Sequence, residues 1–517
     1  MKKLDNVLSF FYDTLEKECF LLESVDSLMK NIYINSRVNN FKVNNFGVNK
    51  MFVGRKRELK LLEDLYRSKK FEMLIMHGRR RVGKSFLLAH FASLHEKDTV
   101  FFTADKGSEA NNVRNFCTEL KRVLNAGDFL NSLETWQDVY SFIDGAAFSK
   151  RVNIIIDEFT YLYNSNPVYD SGLQNAIDRI LKKKNIFLIL CGSEVSVIED
   201  LFDDSTKPLY GRKTADLKLQ PFSYKESKEF FPKYSDEEVL TVYSILGGIP
   251  LYLSLFDDSV SIRENVIKNC LSTTGYLYNE IDTLLRMELK ETLFYKNILL
   301  AINSGASTLN DIKMKVGEDG AKIAKYLNVL QNLGFIKTEI PVGEKGKARN
   351  TLYSIDDNYF AFYFRFIYKH LNMLNGLISP EIYYDREFTT ESLNGYIGHR
   401  FERVCSQFIM EKSYNGELPF FAEQVGRWWG NNPLAKRQEE IDIVAQDENN
   451  AILCECKYTE KAFDETELSD LQACAPCIKR DNLYFWIFSR KGVTAGVKKK
   501  IKNLGNYKVI SIKELFA

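Results

Sequence analysis

Hydrophobic positions fall into a regular order from residue 51 onward. Over 58–66, Leu59, Leu62 and Leu65 recur at helical spacing on one face. Strand-length apolar runs follow at 72–77, 98–104, 152–156, 186–191 and 215–220, with helical stretches between them. Alternating strands and helices predict a parallel sheet covered on both faces, spanning 51–222. After Pro221 the pattern is mostly helical to 290. Three helices and two short strands occupy 291–370, a linker 371–394, and a new mixed α/β unit 395–517. Residues 1–50 break this order. Asn35 to Lys50 repeats Asn, Val, Phe and Lys, and is either a linker behind a short helical extension or a stretch ahead of a true start at Met51.

The strand at 72–76 runs into Gly78-Arg79-Arg80-Arg81-Val82-Gly83-Lys84-Ser85, and a helix follows. This is the strand–loop–helix setting that the G-x-x-x-x-G-K-[ST] phosphate loop requires. Gly78 and Gly83 let the backbone turn so that successive N–H groups and the helix N-terminus face a β-phosphate. Lys84 reaches the β- and γ-phosphates, and the Ser85 hydroxyl ligates Mg²⁺. The strand at 152–156 ends in Asp157-Glu158, at the edge of an open sheet where ligands bind. Asp157 is expected to hold Mg²⁺ through water and Glu158 to polarise the attacking water. Ser193, at the end of the next strand, either hydrogen-bonds the γ-phosphate or the water, or caps the following helix. Arg212 is either an arginine finger or a surface arginine.

Phe52-Val-Gly-Arg-Lys-Arg-Glu58, the phosphate loop, Asp157-Glu158, Gly192-Ser193, Pro208-Leu-Tyr-Gly-Arg212 and Gly247-Gly-Ile-Pro250 occur in this order. Over about 52–370 the chain thereby resembles the archaeal-type AAA+/STAND P-loop ATPases. The resemblance implies a helical lid at 223–290 whose Pro250 starts a nucleotide-sensing helix. In 291–370, Leu309, Ile312 and Val316, then Ile323, Tyr326, Leu327 and Leu330, give two helices apolar faces, and Gly334 ends the second. With the strands at 335–340 and 351–355 and a basic tip at 343–349, this predicts a winged helix. It either contacts DNA phosphates through the tip or is an internal regulatory module.

Residues 440–446 alternate, 447–450 form a turn, and 451–457 alternate again. The hairpin register this predicts sets Asp442 opposite Glu455 and Glu440 opposite Lys457 on one face. Ile441, Ile443, Ala445, Ile452, Cys454 and Cys456 fall on the other, core face. Two facing carboxylates repel, and a divalent cation removes that penalty. Asp442 followed by Glu455-Cys456-Lys457 resembles the PD-(D/E)XK restriction-endonuclease-like site. The resemblance implies a helical acid at Glu402, and Arg427-Trp428-Trp429 matches its tryptophan-bearing strand. The alternative is a polar face that is merely solvated, with Glu440–Lys457 an exposed ion pair. Alternation also argues against zinc at Cys454-x-Cys456 and Cys474-x-x-Cys477, since Cys454 and Cys456 point into the core as thiols.

Charge adds only local detail. With 70 Lys and Arg against 69 Asp and Glu, the 517-residue chain carries +1, which excludes a basic nucleic-acid coat and leaves any polyanion site to a patch such as 497–502 with Lys479, Arg480, Arg490 and Lys491. Nine scattered cysteines predict reduced thiols and a cytoplasmic location. No apolar run approaches the roughly 18 residues of a membrane span. The expected fold class is α/β multidomain: a parallel-sheet P-loop ATPase core, helical lid, winged helix and restriction-endonuclease-like α/β domain. The expected function is an ATP-hydrolysing switch coupled to DNA binding and metal-dependent cleavage. The alternative is a regulatory or interaction ATPase whose C-terminal domain is catalytically inactive. ATP and Mg²⁺ are the expected cofactors, with Mg²⁺ or Mn²⁺ at Asp442 and Glu455. DNA, nucleotide and further copies of the chain are the expected partners, without a membrane.

Overall fold

The computed structural model describes residues 52–148, 150–166, 168–344 and 351–517. The N-terminal extension and most of the basic tip at 343–349 lie outside them. Five parallel strands, β1 (Glu72–His77), β2 (Thr99–Thr103), β3 (Val152–Asp157), β4 (Ile186–Gly192) and β5 (Ala215–Lys218), lie in the order β2-β3-β4-β1-β5. They are the five expected strands. β3 and β4 are buried along their whole length, as the unbroken Val, Ile and Leu runs require. The helices between them include α1 (Lys56–Arg67), α2 (Lys84–Leu94), α3 (Glu109–Leu124), α4 (Tyr169–Arg179) and α5 (Val195–Asp203). One apolar cluster joins Ile75, Val100, Ile154 and Leu188 of the sheet to Phe116 and Trp136.

The lid follows as α6 (Asp236–Leu246), α7 (Pro250–Leu255) and α8 (Glu280–Glu288). Ser235 and Glu238 form a reciprocal capping box at the start of α6, and Pro250 occupies the first turn of α7. Gly248 lies where lid and core meet. Its carbonyl accepts the Phe222 N–H at 2.8 Å, and a Cβ there would stand 1.8 Å from the Phe222 carbonyl oxygen.

Three helices, α9 (Thr292–Asn303), α10 (Leu309–Val316) and α11 (Gly320–Asn332), then precede the antiparallel pair β6 (Ile336–Glu339) and β7 (Leu352–Ile355). This is the expected element order. Asp319 caps α11, and Gly334, at φ 71°, follows its last turn. Next comes α12 (Asn358–Phe362), which widens into a π-turn over Tyr363–Ile367. Residues 371–394 are not a free linker. They carry α13 (Pro380–Glu387), whose Tyr383 is fully buried and donates its hydroxyl to the Phe366 carbonyl. An aromatic placed at helical spacing filled the core where a polar-looking segment suggested a tether.

The C-terminal unit opens with α14 (Thr390–Tyr414). Its strands β8 (Gln424–Asn431), β9 (Gln438–Gln446), β10 (Asn450–Lys457), β11 (Asn482–Ser489) and β12 (Tyr507–Ile510) form one mixed sheet in the order β12-β11-β10-β9-β8. β8, β9 and β10 are antiparallel neighbours, whereas β10, β11 and β12 run parallel. α14 covers one face with Phe401, Val404, Cys405 and Phe408, and packs in the same cluster as the lid and α12. α15 (Glu465–Ala473) and α16 (Ala495–Ile501) cover the other face. Among the described residues no helix is long and apolar enough to cross a membrane.

Gly248→Ala should lower the melting temperature, because its methyl group must displace the Phe222 backbone rather than a flexible side chain. Overpacking of this kind costs about 1–3 kcal/mol. A thermal melt equal to that of the wild type would mean that lid and core are not held together at this point.

Candidate functional site

The phosphate loop leaves the C-terminal end of β1 and enters α2 at Gly83. Three of its residues have left-handed backbone: Gly78 (φ 146°), Arg81 (φ 69°) and Gly83 (φ 94°). Glycine is required at 78 by contact as well as by φ, since a Cβ would lie 2.6 Å from the Leu219 carbonyl oxygen. At Gly83 the space a side chain would fill is bounded by the Pro250 ring at 3.4 Å, so the start of lid helix α7 sits directly on the loop. Arg55 braces the loop from the other side. Its guanidinium donates to the Val82 carbonyl at 2.9 Å and lies 4.1 Å over the Phe222 ring.

Lys84 is buried and donates to the carbonyls of Gly78 (2.6 Å) and Arg79 (3.0 Å). Burial lowers its pKa, and Cys191, Glu158 and Asp157 oppose that shift. The lysine therefore stands beside the acidic end of β3. Thr103 of β2 aligns with Asp157 of β3, Ile156 of β3 with Leu190 of β4, and Gly192 of β4 with His77 of β1. The four strand ends thus meet along one edge of the sheet, where an open parallel sheet binds ligands. Asp157 is buried and accepts the Glu158 N–H at 3.1 Å. Glu158 is itself left-handed (φ 54°), a conformation that costs a non-glycine residue of order 1 kcal/mol and is retained where surroundings over-determine it. Ser193 donates its hydroxyl to the Glu158 carboxylate at 3.2 Å. It does not cap α5, whose N-cap is Glu194. Ser85 lies one residue beyond Lys84 in the first turn of α2. The hydroxyl of Ser85 and the carboxylate of Asp157 are hard oxygen donors of the kind that suits Mg²⁺.

Arg212 pairs with a core acid outside the phosphate loop. It is held by Asp178 at the end of α4 (2.7 Å) and by carbonyls of its own segment, Pro208 and Tyr210. All three arginines within the loop are paired with buried carboxylates. Arg79 meets Asp357, just before α12; Arg80 meets Glu288 at 2.7 Å; Arg81 meets Glu280. The sequence reasoning missed these partners. Their signal was present as acids within otherwise apolar stretches of 277–289 and 352–368. A cavity of about 970 Å³ adjoins the loop, lined among others by Arg55, Arg79, Phe222, Gly248, Arg400 and Arg403.

In the C-terminal unit the β9–β10 register is the predicted one, with Ile443 opposite Cys454, Val444 opposite Leu453 and Ala445 opposite Ile452. The expected division into one core face and one polar face holds only in part. Val444, Ala451 and Leu453 are also buried, against α15 and α16. Ile441 joins that second cluster rather than the one containing Ile443, so the alternation slips at Asp442. Ladder pairing stops there, and the Asp442 carboxylate accepts the Cys456 N–H at 2.8 Å. The Glu440–Lys457 ion pair of the alternative, solvated-face reading does not form: Glu440 lies opposite Trp429 and pairs with Arg427, while Lys457 pairs with Glu467 in the capping box of α15. Each lysine or glutamate found a closer countercharge on a neighbouring element that the hairpin alone does not reveal.

Glu402 of α14, Asp442 and Glu455 do come together. Burial pushes the Asp442 carboxyl up, helped by Glu402; burial also raises Glu455, helped by Asp442 and Glu402. His399 lies 3.5 Å from Glu402. Among the described residues, however, no group of three or more His, Cys, Asp or Glu side chains is gathered so as to hold a metal ion. Cys454 and Cys474 are buried free thiols in opposite clusters, and Cys456 and Cys477 are free as well.

Comparison with known proteins places these features in a family. Residues 52–256 match an ATPase domain found predominantly in Archaea, and 363–469 match a domain of archaeal and bacterial proteins of unknown function. An uncharacterized protein of Methanocaldococcus jannaschii is 33% identical over 410 residues, covering 79% of this chain and 88% of that protein. An uncharacterized ATP-binding protein of the same organism is 49% identical over 41 residues, 8% of this chain and 70% of its own length. Among solved structures, the Walker-type ATPase of Pyrococcus abyssi aligns at 21% identity and TM-score 0.46, over 61% of this chain and 96% of that one. The ORC2 protein of Aeropyrum pernix, in ADPNP–ADP complexes, aligns at 12% identity and TM-score 0.44, over 65% and 99%. The chain thus belongs to this family of predominantly archaeal P-loop ATPases, is itself an ATPase, and carries the family's second domain at its C-terminal side.

Proposed function

We propose that ATP hydrolysis at the loop of Gly78 to Ser85 drives a switch that controls a nuclease-like, DNA-directed C-terminal domain. Lys84 exchanges its contacts with the Gly78 and Arg79 carbonyls for the β- and γ-phosphates of ATP. Ser85 and Asp157 would hold Mg²⁺, which neutralises phosphate charge when bound. Glu158, steadied by Ser193, orients the attacking water and takes up its proton. Pro250 lets lid helix α7 follow the loop through its contact at Gly83. Arg212, tied to Asp178 away from its own loop, serves a neighbouring copy's nucleotide if protomers assemble.

For the C-terminal domain, one observation carries the reading. Asp442 and Glu455 are buried carboxyls raised by burial and by the charge of neighbouring acids, Glu402 among them, while Lys457 and Arg427 are committed to Glu467 and Glu440. A divalent cation at Asp442 and Glu455 would relieve that repulsion. Release of Lys457 from Glu467 would then complete a cleavage site. A second reading is favoured by that same engagement of Lys457: the domain binds DNA or a partner without cutting. DNA phosphates would also meet Lys322 and Lys325 of α11 and the lysines of α16. Incubating plasmid and single-stranded DNA with Mg²⁺ or Mn²⁺, with and without ATP, separates the two readings. Binding without cleavage under all conditions would favour the second.

Lys84→Ala should abolish ATP binding measured by fluorescence. Glu158→Gln should retain binding but lose turnover by about 10²-fold or more, because its carboxylate acts on water rather than on resting nucleotide. Turnover at the wild-type rate would remove Glu158 from this role.

The raised carboxyls give a signed pH prediction. An acid whose pKa is higher in the folded state binds protons more readily there, so metal-free stability falls as pH rises from the ordinary carboxylate range to the raised values. Asp442→Asn should flatten that fall in thermal melts with EDTA. Mn²⁺ must displace the retained proton, so its stabilisation of the wild type should be larger at about pH 8.5 than at about pH 6. Asp442→Asn should lose that gain, and a wild type that gains nothing from Mn²⁺ at either pH has no cation site here.

A further inference from the structure

Three successive loop residues, Arg79, Arg80 and Arg81, reach three carboxylates that belong to no part of the ATPase core. Glu280 and Glu288 lie at the two ends of lid helix α8, and Asp357 caps α12, donating nothing and accepting both the Phe360 N–H and Arg79. All three acids are almost wholly enclosed, with side chains 2%, 8% and 3% exposed. Eight residues of helix separate Glu280 from Glu288, a span of about 12 Å. Arg80 and Arg81 are neighbours whose Cα atoms lie about 3.8 Å apart. They pair with acids at both ends of α8, and Arg81 does so from a left-handed backbone (φ 69°).

The surroundings of each pair are specific. The Arg81 guanidinium also lies 5.4 Å from the Tyr276 ring centre, and Tyr252 donates to Glu280 at 2.6 Å. Arg79 lies 5.3 Å from the Phe335 ring. Arg80 faces Tyr161 and Glu158 as well as Glu288, so the lid acid competes with the hydrolytic acid for one guanidinium. The loop that must present its N–H groups to phosphate is therefore held at three consecutive side chains by elements outside its own sheet.

We propose that Glu280, Glu288 and Asp357 are positioning residues of the nucleotide site, which act through Arg81, Arg80 and Arg79 to hold the phosphate loop in its binding shape while the lid and the helix–hairpin segment are docked. On the core side, Arg80 also faces Tyr161 and Glu158, but the buried ion pairs of the three arginines are all with acids outside the core. Arg55 braces only the Val82 carbonyl, and Lys84 is reserved for phosphate. Nucleotide affinity consequently reports lid docking, and a lid that swings away leaves Arg81 without the partner that stabilises its left-handed backbone. Glu288 in addition draws Arg80 away from Glu158, which leaves that carboxylate able to act on water.

The test is steady-state ATP hydrolysis by the full chain with Mg²⁺, giving KM and kcat separately, together with affinity for a non-hydrolysable ATP analogue. Glu288→Gln, nearly the same in shape, should raise KM and the analogue's Kd by about tenfold or more. The swap Arg80→Glu with Glu288→Arg should recover at least part of that loss. Glu237→Gln serves as the control. It removes a lid acid that pairs with Arg490, far along the chain from the loop, and should leave KM unchanged. Circular-dichroism melts of each variant identify those that are folded, and Glu280→Gln and Asp357→Asn repeat the measurement at the other two pairs. Wild-type KM in all three folded single variants overturns the proposal. So does an equal loss in Glu237→Gln, which would show that any lid ion pair has the same effect, and so does a charge swap that recovers nothing.

Discussion

From Tyr359 to Ile367 every residue but Arg365 is buried, and that constraint organises most of what surrounds it. A helix with so little polar surface has to be enclosed. Here the enclosure is built by three separate elements. Tyr252 of the lid lies 5.4 Å from Tyr359, Phe335 before β6 stacks on Phe360 at 4.4 Å, and Phe388 and Tyr396 close on Phe362 and Phe366. Polar ends are satisfied at the same place: Tyr359 donates to the Leu277 carbonyl, and Tyr396 reaches the carbonyls of Ser244 and Asn358. Lid, helix–hairpin segment and α14 therefore share one core rather than meeting as separate domains.

That enclosure also fixes where charges stand. Asp356 and Asp357 lie just ahead of the buried segment, separated from it by Asn358. Asp357 accepts Arg79 from the loop, and Asp356 accepts Arg403 from α14. Burying an ion is unfavourable unless its partner and hydrogen bonds are in place, and removing one partner of a buried pair costs about 3–5 kcal/mol. The Arg79–Asp357 pair, with both side chains largely enclosed, therefore favours the arrangement in which α12 meets the loop.

Much of this was legible beforehand. The five core strands, the loop and its flanks, the acid at the end of β3 and the β9–β10 register all follow from local pattern, because each depends on residues adjacent in sequence or across one turn. The failures share a cause. The hairpin register set Lys457 opposite Glu440, yet its countercharge is Glu467 from a later helix. Ile441 was placed with Ile443, but the ladder breaks at Asp442, where a side chain replaces a backbone partner. Residues 371–394 read as a tether because the core that receives Tyr383 is made by segments that precede and follow it. Side-chain pairing between distant elements is decided by tertiary packing, which periodicity does not encode. The aromatic run after Asp357 was nevertheless a visible sign that something had to surround it.

The same reasoning explains why two sites of different chemistry lie on one helix. In α14, Arg403 and Glu402 are consecutive, so they point about 100° apart around the axis. Arg403 faces Asp356, beside the cavity that adjoins the phosphate loop, whereas Glu402 faces Asp442 and Glu455. Phe401, Val404 and Phe408 pin the helix to the C-terminal sheet, and Tyr396 pins it to α12. Packed helices move as rigid bodies because their interiors leave no slack for one residue to shift alone. α14 therefore links the Arg403–Asp356 pair beside the nucleotide loop and the Glu402–Asp442–Glu455 cluster on the C-terminal sheet through one packed helix, although the two lie on separate sheets.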